Sequence, residues 1–74
     1  MSHHIVDAKR LLCPLPVIRL QQAINRVPSG TIIEVQCTDP GVLNDIPAWC
    51  RVHGHFCLDT KQTDLDITVL VKKN

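Results

Sequence analysis

Apolar and polar residues alternate along two stretches of the chain, Thr31–Cys37 and Leu65–Val71, and this alternation predicts strands with one buried face. The alternating apolar positions are Ile33, Val35 and Cys37 in the first stretch, and Leu65, Ile67, Val69 and Val71 in the second. A short first strand near His4–Ala8 and a third strand over His55–Thr60 are also predicted, with a polar turn at Lys61–Asp64.

Apolar residues at helical spacing predict two helices. The apolar positions are Val17, Leu20, Ala23 (or Ile24) and Val27 in the first helix, and Val42, Leu43, Ile46, Trp49 and Cys50 in the second. The first helix begins at Pro14 and stops at Pro28–Gly30. The second begins at Asp39-Pro40 and ends at Gly54, with a kink or broken turn expected at Pro47.

The predicted order of elements is β-α-β-α-β-β, and the 74 residues suffice for a single domain, 1–74. We expect an α/β (α+β) two-layer sandwich, a mixed four-stranded sheet with both helices on one face. The first two strands are predicted to be parallel across a right-handed connection, and the last two to form an antiparallel hairpin. The open sheet face or edge is a possible surface for a partner.

Composition excludes several classes of protein. The net charge is +1 and aromatic residues are 3%, so no basic nucleic-acid arm or array of stacking rings is present, and no direct contact with nucleic acid is expected. The N-terminal residues show no secretory signal, and no stretch is long enough to span a membrane, which predicts a cytoplasmic location. The four cysteines are then expected to be free thiols, metal ligands or catalytic groups, and they form no Cys-x-x-Cys pair.

The segment Leu12-Cys13-Pro14-Leu15-Pro16-Val17 places a cysteine directly before a helix. A helix start stabilises an anion, so the pKa of the Cys13 thiol is predicted to fall below that of a free cysteine. Pro14 at the first helical position and Pro16 in the first turn should hold Cys13 in a fixed direction. The alternative is that Cys13 packs as a small hydrophobe beside Leu11 and Leu12.

Other residues have structural interpretations. Cys50, His53, His55 and Cys57 have the residue types of a zinc site, but we expect no metal or cofactor, with Phe56 and Leu58 as the core pair of their strand. Asp39 is interpreted as the N-cap of the second helix, or alternatively as an acid close to Cys13. His3, His4, Lys72 and Lys73 are interpreted as solvated ends, and Trp49 as core or rim packing.

The run Cys13-Pro14-Leu15-Pro16 before an amphipathic helix resembles the Cys-Pro-x-Pro motif of the TusA/SirA family of sulfur carriers. Asp39-Pro40, and Asp45-Ile46-Pro47 with Cys50, are similar to the second run of that family. The resemblance covers essentially the whole chain. It implies the same order of elements, and a persulfide on Cys13 that comes from a cysteine desulfurase or a rhodanese-like donor.

The resemblance also implies a downstream acceptor protein, in tRNA thiolation, molybdenum cofactor assembly or sulfur oxidation. Such a carrier turns over no small molecule alone, so it is an enzyme only by convention. Arg10 and Arg19 are candidates for stabilising the persulfide anion or recognising an acidic partner, or are simply solvated. Many relatives carry Gly two or three residues before the motif Cys, where this chain has Arg10-Leu11-Leu12.

An RNA-binding or regulatory module of similar small fold is the alternative function, and a zinc-stabilised interaction domain is a third. The chain lacks a Gly-x-x-Gly clamp and a basic excess, which RNA modules tend to show.

Overall fold

The computed structural model describes residues 3–74, and over this range the elements follow the predicted order. They are β1 (His3–Ala8), α1 (Leu15–Ile24), β2 (Ile32–Cys37), α2 (Val42–His53), β3 (Phe56–Thr63) and β4 (Asp66–Lys72). Neither helix in this range is long and apolar enough to cross a membrane.

The strands form a mixed sheet in the order β1-β2-β4-β3. β1 and β2 are parallel, with Ala8 opposite Cys37, while β4 pairs antiparallel with both β2 and β3. The predicted parallel pair and the predicted terminal hairpin are therefore both confirmed.

The core lies between the sheet and the two helices, which pack on the same sheet face. Alternate strand residues enter it, and Leu20 of α1 and Ile46 of α2 are completely buried against them. Trp49 packs at the rim, as predicted. The opposite sheet face carries exposed apolar side chains, of which Ile5 and Phe56 are each more than half exposed.

The ends of the helices differ from prediction in detail. α1 begins at Leu15, with Pro14 as the N-cap and Pro16 in the first turn. The N-cap of α2 is Gly41, so the assignment of Asp39 as N-cap is wrong: the Asp39 carboxylate instead accepts a hydrogen bond from the Gly41 N–H at 3.2 Å, in the turn that leads into the helix. Gly54 ends α2 with a left-handed φ of 79°, as predicted.

α2 runs without a break through Pro47, so of the predicted kink or broken turn, the broken turn is wrong. Pro47 is the sixth residue of the helix, and its missing N–H removes the partner of one carbonyl only, that of Leu43. The packing of Ile46 and Cys50, which are both buried, keeps the helix continuous across this gap.

The edge strand β3 is longer than predicted, and its core face was predicted wrongly. β3 continues to Thr63, which moves the turn to residues 64–65 and leaves Leu65 79% exposed in it. Because pairing with β4 places Cys57 opposite the buried Val71, Cys57 faces the helices. Phe56 lies on the other face, and Leu58 falls at an irregularity between Cys57 and Asp59 and is also exposed.

Lys73 is not a solvated end. Its ammonium Nζ donates hydrogen bonds to the carbonyl oxygens of Ile24 at 2.8 Å and Val27 at 2.7 Å, where α1 ends. α1 has no basic residue in its own last turn, so Lys73 supplies the cation that a helix C-terminus favours.

Candidate functional site

Two loops that leave the same end of the parallel strand pair meet at Cys13. The loop after β1 carries Arg10 and Cys13, and the loop after β2 carries Thr38 and Asp39. The Arg10 N–H donates to Thr38 Oγ1 at 2.9 Å, and the Cys13 N–H donates to Asp39 Oδ2 at 2.8 Å. The alternative interpretation of Asp39, as an acid close to Cys13, therefore agrees with the geometry.

Cys13 is exposed on a loop that is anchored on its C-terminal side. Pro16 is fully buried in the first turn of α1, whereas Leu12 and Leu15 on either side of the motif are 72% and 47% exposed. The alternative in which Cys13 is a core residue is thus wrong, because the loop turns the cysteine outward while Pro16 enters the core.

The sulfur of Cys13 rests against the first turns of α2 rather than on its own helix. Its Sγ lies 2.6 Å from Asp45 Oδ2, a distance at which the thiol donates a hydrogen bond to the carboxylate. A Cβ placed on Gly41 would lie 3.0 Å from the same sulfur, tighter than almost any real contact of that kind. The absence of a side chain at Gly41 is what leaves room for the sulfur here.

These contacts reverse the predicted effect on the thiol. The hydrogen bond to Asp45, partial desolvation, a weaker hydrogen-bonding interaction with Asp39 and the charges of both carboxylates raise the pKa of Cys13 from 9.0 to about 12. The prediction of a lowered pKa is wrong because the nearest charged groups are two acids, which outweigh any benefit from the start of α1. At neutral pH the resting site therefore presents a protonated thiol.

Asp39 holds the two loops together as an anion. Its carboxylate accepts hydrogen bonds from the Cys13 N–H and the Gly41 N–H, and these bonds keep the pKa of Asp39 below its usual value. Asp39 thus fixes the backbone on both sides of the sulfur.

The two arginines occupy different places. Arg10 has a φ of 67°, a left-handed conformation that favours glycine. Arg19 lines a groove between β1 and α1 with His4, Asp7 and Arg26, a groove to which Cys13 does not contribute. The role of both side chains toward a persulfide or a partner stays a prediction.

The four residues that have the types of a zinc site, Cys50, His53, His55 and Cys57, are not arranged as one. Cys50 is 1% exposed in the core, while Trp49 contacts the ring of His53 at 4.6 Å and stacks on the ring of His55 at 5.5 Å between centroids. Across residues 3–74, no group of three or more acidic, His or Cys side chains is arranged to hold a metal ion.

Asp45 and Gly41 are site residues that sequence reasoning missed as such. Asp45 was named only within the run that resembles the second family motif, and Gly41 was not named. The available indication was the Asp45 carboxylate in the first turn of the second helix, whose start had been considered as an alternative neighbour of Cys13.

Comparison with known proteins gives consistent matches along the chain. Residues 4–73 match the sequence model of the family described as "Sulfurtransferase TusA". The putative sulfur carrier protein YrkI of Bacillus subtilis is 46% identical over 63 residues, which is 85% of this chain and 81% of that protein. The sulfur carrier protein TusA of Allochromatium vinosum is 33% identical over 69 residues, 93% of this chain and 91% of that protein. A putative sulfur carrier protein of Neisseria meningitidis is 35% identical over 72 residues, 97% of each chain.

Proposed function

We propose that this chain, which belongs to the sulfurtransferase TusA family, is a sulfur carrier that holds persulfide sulfur on Cys13. The sulfur comes from a cysteine desulfurase or a rhodanese-like donor and passes to an acceptor protein. The observation that carries the proposal is the exposed thiol of Cys13, displayed where two loops and the start of a helix converge.

The other thiols support this assignment because they are poorly placed to interfere. Cys37 and Cys50 are each 1% exposed, and Cys57 is half-buried against the core. A carrier benefits from the lack of an accessible second thiol, since such a thiol would attack the persulfide, release sulfide and close a disulfide. A persulfide on Cys13 therefore meets its next thiol on another protein.

Exposed apolar side chains beside the cysteine support protein partners. Leu12 and Leu15 flank the motif, and Ile18, one turn further along α1, is 42% exposed. Several exposed apolar side chains close together in sequence beside a reactive group favour a contact with another protein. A reactive free thiol persists in a reducing compartment, and we place the relay in the cytoplasm on that ground.

The proposal is tested by mass spectrometry of the protein after incubation with a cysteine desulfurase and cysteine. We expect an added mass of about 32 Da, confined to the peptide that contains Cys13 and removed by reductant. A Cys13→Ser variant serves as the control and should gain no sulfur. Equal loading of the Cys13→Ser variant, or wild-type protein that gains no sulfur, would contradict the proposal.

The acceptor is identified by a second transfer. Loaded protein is mixed with candidate acceptors from tRNA thiolation, molybdenum cofactor assembly and sulfur oxidation, and the loss of sulfur from Cys13 is followed in time. Transfer to one class and not to the others assigns the pathway. No transfer to any acceptor protein would count against a carrier role.

A further inference from the structure

The resting site is at odds with the step that a sulfur carrier performs. Attack on a persulfide needs a thiolate, because the thiolate and not the thiol is the nucleophile. Here the thiol of Cys13 donates its hydrogen to Asp45 Oδ2 at 2.6 Å and stays protonated at neutral pH. We propose that Asp45 is the proton acceptor for Cys13 when its sulfur attacks a donor persulfide, an inference that rests on the sulfur-carrier function proposed above.

The geometry meets the requirement for a base in direct contact. A candidate base must lie within hydrogen-bond reach of the proton that it removes, and Asp45 does so without movement of the backbone. The close approach of the sulfur to Gly41 is an independent observation, since it holds the sulfur over the turn from which Asp45 projects.

The step balances without a further reagent. Cys13 Sγ attacks the outer sulfur of the donor persulfide, a new Sγ–S bond forms, and the S–S bond of the donor breaks. The donor sulfur leaves with the bonding electron pair as a thiolate, and the Cys13 proton moves to Asp45. Asp45 then returns that proton to the leaving thiolate or to water, so one thiol and one persulfide give one persulfide and one thiol.

The charged groups acting on the sulfur explain why Asp45 and not Asp39 accepts the proton. Asp39, from the loop after β2, has a lowered pKa, because its oxygens accept the backbone N–H groups of Cys13 and Gly41. Asp45, from α2, receives the thiol hydrogen itself. α1 adds no acidic side chain in its first turn. Asp39 is accordingly a positioning residue.

The test compares wild-type protein with Asp45→Asn in two measurements. The first is the pKa of the Cys13 thiol, from the pH dependence of thiolate absorbance after subtraction of the corresponding Cys13→Ser protein. The second is the rate of sulfur uptake from glutathione persulfide between about pH 6 and pH 9, followed by intact mass. The variant-to-wild-type ratio at each pH cancels the titration of the donor.

We expect Asp45→Asn to combine a more acidic Cys13 thiol with slower sulfur uptake. Asp45→Asn lowers the thiol pKa, because the acceptor that favours the protonated form has lost its charge. Uptake near neutral pH nevertheless falls by about tenfold or more, since a general base contributes roughly 10²–10⁴ and the larger thiolate fraction restores only part of that. The deficit should shrink as the pH rises. A purely structural role of Asp45 would not combine a more acidic thiol with slower uptake.

The controls separate the possible outcomes. Asp59→Asn removes a carboxylate outside the site and should leave both measurements at wild-type values. Asp45→Glu keeps the base and should restore part of the uptake, which keeps the test valid if the amide variant unfolds. Wild-type uptake rates and pH profile in Asp45→Asn would overturn the inference alone, whereas wild-type protein that takes no sulfur would overturn the proposed function and the inference with it.

Discussion

Replacing Lys73 by Met removes a contact that ties the C-terminal residues to the end of α1. In the structure the Lys73 ammonium donates to the carbonyl oxygens of Ile24 and Val27, which lie 49 and 46 residues earlier. The backbone of Lys73 also pairs with that of Gly30 and Thr31, and a Met side chain leaves these bonds in place. The substitution keeps the aliphatic stem and removes only the charged group.

The expected loss of stability follows from those two hydrogen bonds. A hydrogen bond to a charged group contributes about 1.5–3 kcal/mol when buried, and a cation at a helix C-terminus about 0.3–1 kcal/mol. Because Lys73 is half-buried, water can replace part of these hydrogen bonds in the variant. We therefore expect a decrease of about 2 kcal/mol in the free energy of unfolding. The free energy of unfolding of a chain of this length is only about 4–11 kcal/mol in total. The substitution should therefore lower the melting temperature by roughly 12 °C.

The assay is urea denaturation followed by the fluorescence of Trp49, the single tryptophan of the chain. Lys72→Met is a matched control, because Lys72 is exposed and should change stability by no more than about 0.5 kcal/mol. If Lys73→Met and Lys72→Met shift the urea midpoint equally, the interpretation of Lys73 as the C-terminal cap of α1 is refuted.

Three further substitutions test other parts of the structure. Gly41→Ala should displace the Cys13 sulfur and lower the thiol pKa toward 9.0 without unfolding the chain, since the φ of −58° suits alanine; an unchanged thiolate titration would contradict this. Burial raises the pKa of the Cys37 thiol from 9.0 to about 11, so its contribution to stability is complete below pH 9 and is lost as the pH rises through 11. Over that pH interval the urea midpoint of Cys37→Ala should fall less steeply than that of the wild-type protein. An equally steep fall in both proteins would contradict this role of the Cys37 thiol. Arg10→Gly should raise the free energy of unfolding by about 0.5 kcal/mol because it relieves a left-handed φ, whereas Lys9→Gly should lower it; thermal melts giving the same sign for both would refute the backbone argument.

The elements that sequence analysis located correctly are those with a strong local pattern. Buried and partly buried residues alternate along β2 without interruption. Because β2 pairs with β1 on one side and β4 on the other, each apolar residue on its core face has a buried neighbour. The proximity of Asp39 to Cys13, which the sequence offered only as an alternative, follows from the pairing of β1 with β2, because each loop leaves one of two adjacent parallel strands.

The errors concern properties that depend on distant residues. The core face of β3 is set by its partner strand and by an irregularity at Leu58, neither of which is visible in a strand that is polar over most of its length. The pKa of Cys13 is set by Asp45, 32 residues away, and the environment of Lys73 by the end of α1, 49 residues earlier. Local charge and helix position alone gave the wrong sign for the cysteine.

The geometry of the site depends on strand register as much as on the site residues. Ala8 lies opposite Cys37 in the parallel pair, and the two site loops continue from those positions. A slip of one residue between β1 and β2 would shift one loop by about 3.3 Å, enough to break the 2.8 Å hydrogen bond between Cys13 and Asp39. The same slip would turn Ala8, which is fully buried, out of the core. The packing that fixes the register therefore also holds the sulfur against Asp45, and the position of the thiol relative to its acid is a property of the core.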